Sequence, residues 1–320
     1  MLQRIECRLI HRQQGAVLLV LAVIMSMIAL GWLYGHMASR QTAGAVTARS
    51  LAVAQAALIG RALADPNHPG SLPCPDTNND GIAETTVGTP SGNCPSYIGR
   101  LPWRTLGLSD IRDGNGERLW YALSSDARDY QYLKINSQNT AGELQVNSNA
   151  NMVAVMLSPG VAIDPQQRGT QAQQNAVGNY LEGDNVNGDT VYVSQAVADP
   201  AFNDRLLALS SIDLFRKVET LILRQIAQKL TVYAKQNAGY PFAADQSGIA
   251  KINQLSGYIP YSTLSFMPTD ALVQNNWFGD LATLPAQPYT VSVMRDQVHI
   301  NLLYCHADMT LNTPLVVHCD

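Results

Sequence analysis

One run without charge limits what the start of this chain can become. In HRQQGAVLLVLAVIMSMIALGWLYGH no Asp, Glu, Lys or Arg stands between Arg12 and His36, and no Pro interrupts it. Its apolar part, Ala16 to Gly35, is about 20 residues, enough for a helix to cross a hydrocarbon core of about 30 Å. A secretory h-region is usually about 7–15 residues long and ends at a small-x-small cleavage site. The longer run favours a membrane helix, with a cleaved signal peptide as the alternative. Arg4, Arg8 and Arg12 precede it against the single Glu6. The positive-inside rule then puts the N-terminus in the cytoplasm and the remainder across the membrane.

The next stretch, MASRQTAGAVTARSLAVAQAALIGRALAD, repeats Ala, Leu and Val at spacings of three and four, with Arg40, Arg49 and Arg61 between them. That spacing predicts an amphipathic helix. No Pro separates it from the apolar run, so one continuous helix is expected from Ala16 to Ala64, about 70 Å long. Its first half would lie in lipid and its second half against a folded head. Gly35 and Gly44 are the places where it could bend, and Pro66 and Pro69 stop it.

Gly15 stands where the polar leader meets the apolar run, in RQQG-AVLLVLAVIMSMIALGWL. A basic leader, a Gly and a long apolar helix in that order resemble the bacterial type IV prepilins and the pseudopilins of type II secretion. The resemblance implies cleavage between Gly15 and Ala16 by a prepilin peptidase on the cytoplasmic face, and methylation of the new N-terminus. It also implies assembly with other pilin or pseudopilin subunits through the N-terminal helix. The family carries Glu five residues into the mature chain, and here that position is Val20. In the family that Glu pairs with a neighbour's amino terminus, and subunits lacking it sit at or near the tip. The departure points to a minor, priming or tip subunit.

Beyond the leader and apolar run, roughly 285 residues remain, enough for one large domain or two small ones. The formal net charge is −4, and loss of a leader with three Arg and one Glu takes it to about −6. There is no Lys/Arg run, so no nucleic-acid partner is expected. Cys7 lies in the leader; Cys74, Cys94, Cys305 and Cys319 lie in the part placed outside. An even count in an oxidising compartment suggests two disulfides. Of the three pairings, the local one, Cys74–Cys94 with Cys305–Cys319, is preferred. Each would close a loop of roughly 15–20 residues, worth about 3 kcal/mol in the chain-entropy picture.

The head shows an internal echo. GRLPWRTLG precedes the turn Asp113–Gly116 and the strand-like RLWYALS; another strand is expected over Met152–Leu157. From Ser211 a second amphipathic helix runs to Gly239, with Ser211 or Asp213 as its cap. After it come GYIPYSTLS and QNNWFGDLATLPAQPYTVS. Gly99–Trp103 lines up with Gly257–Tyr261, and Thr-Leu follows both, at Thr105–Leu106 and Thr263–Leu264. This reads as a duplicated helix-plus-small-sheet unit. The expected fold class is α+β: a long N-terminal helix with a membrane half and a packed half, and a pilin-like antiparallel sheet head, internally duplicated. The expected segments are leader 1–15, helix 16–64, first head unit 65–210 and second unit 211–320. LPCPD, GRLPWRTLGL and ERLWYALS, with NYLEGDN and FNDRLLALS, also resemble a set of uncharacterised bacterial pilin-like proteins over Ser71–Glu219.

Chemistry-bearing patterns are few. PDTNNDGIAE places Asp76, Asn78, Asp80, Gly81 and Glu84 as D-x-N-x-D-G-x-x-E. These are the first nine positions of a calcium loop, with the Ile82 carbonyl as a further ligand. The twelfth position is Val87, so the loop would need a ligand from elsewhere, for which Asp110 and Asp113 are candidates; the plainer reading is an Asx-rich turn. A second run, EGDNVNGD, offers Glu182, Asp184, Asn187 and Asp189 with less regular spacing. No G-x-S-x-G, H-E-x-x-H or phosphate-binding Gly loop occurs. His306 and His318 sit beside Cys305 and Cys319, but oxidised cysteines leave no thiol for catalysis. Trp103, Trp120, Tyr121 and Trp277 read as core. The expectation is a non-enzymatic minor pilin or pseudopilin, held in the inner membrane by one pass with a periplasmic head stabilised by calcium, and able to enter a surface filament. An anchored periplasmic or surface binding protein is the alternative; a secreted hydrolase lacks its catalytic group.

Overall fold

The computed structural model describes residues 3–88, 92–195, 199–279 and 288–319, and within the first helix the side chains of residues 19, 21–33 and 41–64. The chain is mixed α and β. Its helices are α1 (Gln3–Ala64), α2 (Gln171–Asn175), α3 (Ser211–Asn237) and α4 (Ala271–Gln274). Helix α1 has 62 residues without a break, which at about 1.5 Å each makes about 90 Å, and includes the span expected from Ala16 to Ala64. It stops where Asp65 accepts N–H bonds from Asn67 (2.9 Å) and His68 (2.8 Å), turning the chain before Pro69. Arg61 in the last turn favours the negative end of the helix dipole and pairs with Asp65 at 2.7 Å.

The first sheet contains β1 (Ile98–Arg100), β2 (Trp120–Leu123), β3 (Leu144–Val146), β4 (Asn149–Ser158), β5 (Val191–Tyr192) and β6 (Arg205–Ser210). Strand β4 pairs antiparallel with β2, β3 and β6, and β3 pairs parallel with β5. The sheet is therefore mixed, where the sequence suggested antiparallel pairing throughout; β5 belongs to the long excursion between β4 and β6, which brings it back in the parallel sense. Leu51, Ala54, Leu58 and Ala62, at helical spacing, bury one face of α1. The Asp113–Gly116 turn clamps the same helix: Gly114 N–H donates to Thr47 Oγ1 (2.9 Å), and Ser50 Oγ donates to the Arg112 carbonyl (2.7 Å).

Strand β6 passes into α3 without a linker, so the boundary expected at 210/211 is a strand–helix junction. The N-cap is Ser210, whose Oγ accepts from Asp213 N–H at 3.0 Å, and not Ser211 or Asp213. Both alternatives lie inside the first turn because β6 hands over one residue earlier than the apolar spacing suggests. Leu214, Val218, Ile222, Ile226 and Leu230 bury one face of α3. The second sheet, in the order β11 (Val316–Cys319), β10 (Cys305–Thr310), β9 (Gln297–Asn301), β8 (Tyr289–Val291) and β7 (Ser256–Gly257), is antiparallel. Residues 280–287 of the expected aromatic-strand stretch lie outside the described residues.

Buried side chains of α1, α3 and both sheets form one continuous core, from Leu58 and Tyr121 to Phe215, Tyr289 and Ile300. Asn275 joins the two halves with three hydrogen bonds: it accepts from Ile135 N–H and Asn136 Nδ2, and donates to the Asn67 carbonyl.

The two sheets share a hydrogen-bond pattern in detail. Gly99 pairs with Tyr121 and Gly257 with Tyr289. The Tyr121 hydroxyl donates to the Pro73 carbonyl (3.1 Å) and the Tyr289 hydroxyl to the Pro241 carbonyl (2.9 Å), each across 48 residues. Arg104 N–H donates to Gly81 O (2.8 Å) and Ser262 N–H to Gly248 O (3.0 Å). Ala83 N–H reaches Thr105 Oγ1, and Ala250 N–H reaches Thr263 Oγ1, both at 2.8 Å. Gly81 (φ +86°) and Gly248 (φ +71°) take the left-handed region, each against an aromatic ring, Trp103 or Tyr261, that a Cβ would strike.

Candidate functional site

Two features were expected to carry function: the N-terminal helix and the Asp76 turn. The Gly15–Ala16 junction lies within α1, with its side chains outside the described ones. Among the described residues, Gln41–Ala64 is long and apolar enough to cross a membrane. One face of that stretch is buried in the head through Leu51, Ala54, Leu58 and Ala62, while Val46 and Val53 on it stay exposed. Leu21–Leu33 is a shorter apolar stretch, and every side chain in it is exposed, Trp32 and Met25 by about two thirds. Exposed and apolar around the helix, it is the part of α1 that suits lipid or other helices.

The Asp76 turn is built by backbone N–H groups. Asp76 is buried, and its Oδ1 accepts from Asn78 (3.0 Å) and Asn79 (2.6 Å), while Oδ2 accepts from Gly81 (2.7 Å). Burial pushes its carboxyl above the ordinary range, against these three opposing bonds. Asn78 Oδ1 accepts from Asp80 N–H, and Asp80 Oδ1 from Ile82 N–H. Glu84 turns back to Thr77, accepting from its hydroxyl at 2.7 Å. The proposed closing ligands are occupied elsewhere: Asp110 pairs with Arg112 and Arg118, and Asp113 accepts from Asn115, Glu117, Ser158 and Gly160. Among the described residues no three His, Cys, Asp or Glu side chains stand together as a metal site. The matching turn of the second half keeps the Asp245–Ser247–Gly248 bonding with Ala244 in the place of Asp76.

In the second acidic run, Asp184 and Asp189 are exposed, and Asp189 closes a local turn with Asn187 and Val191. Glu182 instead is buried, holding Gln166 Nε2 (2.6 Å) and the N–H groups of Asn203 and Asp204. It faces buried Asp204, a residue that sequence reasoning passed over because its partner is 22 residues away. Burial, with Glu182 next, pushes Asp204 up to about 8. Glu219 on α3, also missed, is fully buried and accepts from the N–H groups of Leu303, Tyr304 and Cys305.

Both disulfides form in the local pairing, Cys74–Cys94 and Cys305–Cys319. His306 and His318 lie opposite each other on β10 and β11 with rings 5.3 Å apart. With both neighbouring cysteines oxidised, no thiol is available to them. Trp120, Tyr121 and Trp277 are core residues as expected, and Trp103 covers Gly81. No family model, curated protein or solved structure matches the chain.

Proposed function

We propose that this chain is a pilin-like minor subunit or pseudopilin, a structural and assembly component of a type IV pilus or type II secretion pseudopilus. The observation that carries the reading is α1 itself: one unbroken helix, exposed and apolar over Leu21–Leu33, then buried on one face from Leu51 to Ala62. Such a helix can rest in a bilayer and pass into a bundle of like helices with no change of secondary structure. Val20 in place of the family's acidic residue favours a tip position over a repeating shaft position. The shared bonding of the two sheets supports a duplicated head, in which α3 serves the second sheet as the packed half of α1 serves the first. The partners in this reading are other pilin subunits, a prepilin peptidase and the inner membrane, and the head is periplasmic.

The test is intact mass and N-terminal sequence of the protein from membranes with and without the peptidase. A methylated Ala16 that depends on the peptidase is expected. An unprocessed Met1 start overturns the assembly reading and leaves an anchored binding domain.

Calcium on Asp76, Asn78, Asp80, the Ile82 carbonyl and Glu84 is a separate part of the proposal. It is supported by the oxygen-ligand spacing and by the disulfide beside the turn. Millimolar calcium against EGTA would raise the melting temperature of the native chain and not of Asp80→Ala. Equal melting in both buffers removes the ion and leaves the Asx turn.

A further inference from the structure

Strands β9, β10 and β11 carry three histidines on the outer face of the second sheet. Cys305 pairs with Cys319 across β10 and β11, and His306 with His318 on the next rung. Side chains alternate between the two faces along a strand. Cys305 and Ala307, on either side of His306, are buried, and the sulfurs of Cys305 and Cys319 lie 3.5 and 3.9 Å from the Arg216 carbonyl of α3. His306 and His318 therefore stand on the face away from α3, where His306 is half-buried and His318 exposed. Their ring centres are 5.3 Å apart. On β9, the half-buried His299 has its ring 5.5 Å from that of His306. Among the described residues neither the His306 nor the His318 ring is tied by a hydrogen bond or an ion pair.

The spacing of this pair is fixed by the backbone. The Cys305–Cys319 disulfide cross-links the strands one rung away, and Glu219 holds the N–H groups of Leu303, Tyr304 and Cys305 where β10 begins. Residues directly opposite on antiparallel strands have Cβ atoms about 4.5–5.5 Å apart. Exposed side chains rotate in picoseconds to nanoseconds, so the register sets the span and rotation sets where the nitrogens aim. The span suits one shared metal ion. A metal–nitrogen bond of about 2.0–2.1 Å plus the ring radius puts each ring centre about 3.2 Å from the ion, and two rings at the tetrahedral angle about 5.2 Å apart. The observed separation of His306 and His318 is 5.3 Å. His299 does not join the same ion. Its Nδ1 is bonded to Asp308 Oδ1 at 2.8 Å, and β9 lies two strands from β11, roughly 9–10 Å. This agrees with the absence of a three-ligand group among the described residues.

We propose that His306 and His318 form a two-imidazole site for a divalent ion of the copper, nickel and zinc group, with water in the remaining positions. Imidazole nitrogen is a ligand these ions favour, whereas calcium and magnesium take oxygen. Copper binds tightest of the three, following the general order of affinities for nitrogen sites. The inference is independent of how the chain is anchored and of the Asp76 turn.

The test uses the detergent-solubilised full chain carrying Cys7→Ser, which leaves no cysteine outside the two disulfides to compete for metal. Titration calorimetry with copper, nickel and zinc chlorides measures binding, and pulsed EPR of the one-to-one copper complex counts the imidazoles on the ion. Saturable binding with copper tightest is expected, undisturbed by excess calcium, with two imidazoles in the spectrum. His306→Gln and His318→Gln should each weaken copper binding at least about tenfold, because each leaves one ligand where two acted together. His299→Gln should leave it unchanged. All three positions lie on the outer face, so melting without metal should stay near that of the parent chain, which separates a lost ligand from a lost fold. No saturable binding, a single imidazole in the spectrum, undiminished binding in His306→Gln or His318→Gln, or an equal loss in His299→Gln would each overturn the proposal.

Discussion

Asp204→Asn should make the stability of the head less dependent on pH. Asp204 and Glu182 are both buried, and each carboxyl group accepts the backbone N–H of the other residue. Asp204 Oδ2 already accepts from Glu182 N–H (3.0 Å) and Asn185 Nδ2 (2.9 Å), and Oδ1 has no donor. Two carboxylates in contact away from water cannot both be ionised, so the folded state holds a proton on the pair. The group is pushed from 3.8 to about 8 by burial first and by Glu182 next. Its folded value lies above its unfolded value, so this contribution is fully present below pH 4 and is lost as pH rises toward 8. Between these limits the folded state binds one proton more than the unfolded chain, and stability falls by up to about 1.4 kcal/mol per pH unit. From pH 5.5 to 7.5 that is about 1–3 kcal/mol, or roughly 3–8 °C in melting temperature for a chain of this size. The amide introduced by Asp204→Asn keeps an acceptor for the two donors and carries no charge at any pH. Melting curves at the two pH values, for the native chain, Asp204→Asn and the exposed control Asp189→Asn, isolate this term from all others. The reasoning is refuted if Asp204→Asn and the native chain lose the same number of degrees over that interval.

Three further outcomes are expected. Tyr121→Phe and Tyr289→Phe should each cost about 1 kcal/mol, because each leaves a buried proline carbonyl without its donor; unequal costs in denaturant titrations would show that the two sheets are not held alike. Glu219→Ala should cost at least about 3 kcal/mol, since three N–H groups at the Leu303–Cys305 turn lose one acceptor; a change under about 1 kcal/mol in unfolding midpoint counts against that pin. Replacing Cys305 and Cys319 together with Ala should lower stability by about 3 kcal/mol, as expected for a closed loop of 14 residues, read as a shift in denaturant midpoint.

What the sequence by itself determined here is local. The unbroken helix followed from the absence of Pro and a continuous apolar period, and it ends at Ala64, just before the expected stop at Pro66 and Pro69. A strand over Trp120–Leu123 and the Met152–Leu157 part of the strand Asn149–Ser158 were legible from short apolar runs beside turn residues. The disulfide pairing was legible because close cysteines form the cheapest loops. The echo between Gly99–Trp103 and Gly257–Tyr261 was visible as a motif, but its meaning lay in hydrogen bonds no linear reading contains. Tertiary structure alone decided the rest. It set Glu182 against Asp204, stacked Arg100 between Trp120 and Tyr180, and fixed Asn275 across the two halves. It also turned the acidic residues of the Asp76 loop onto backbone N–H groups. Periodicity and spacing report which face of an element is apolar, because that depends on neighbours three or four residues away. A buried charge depends on which distant element packs over it, and that is fixed only when the sheets and helices close on one another.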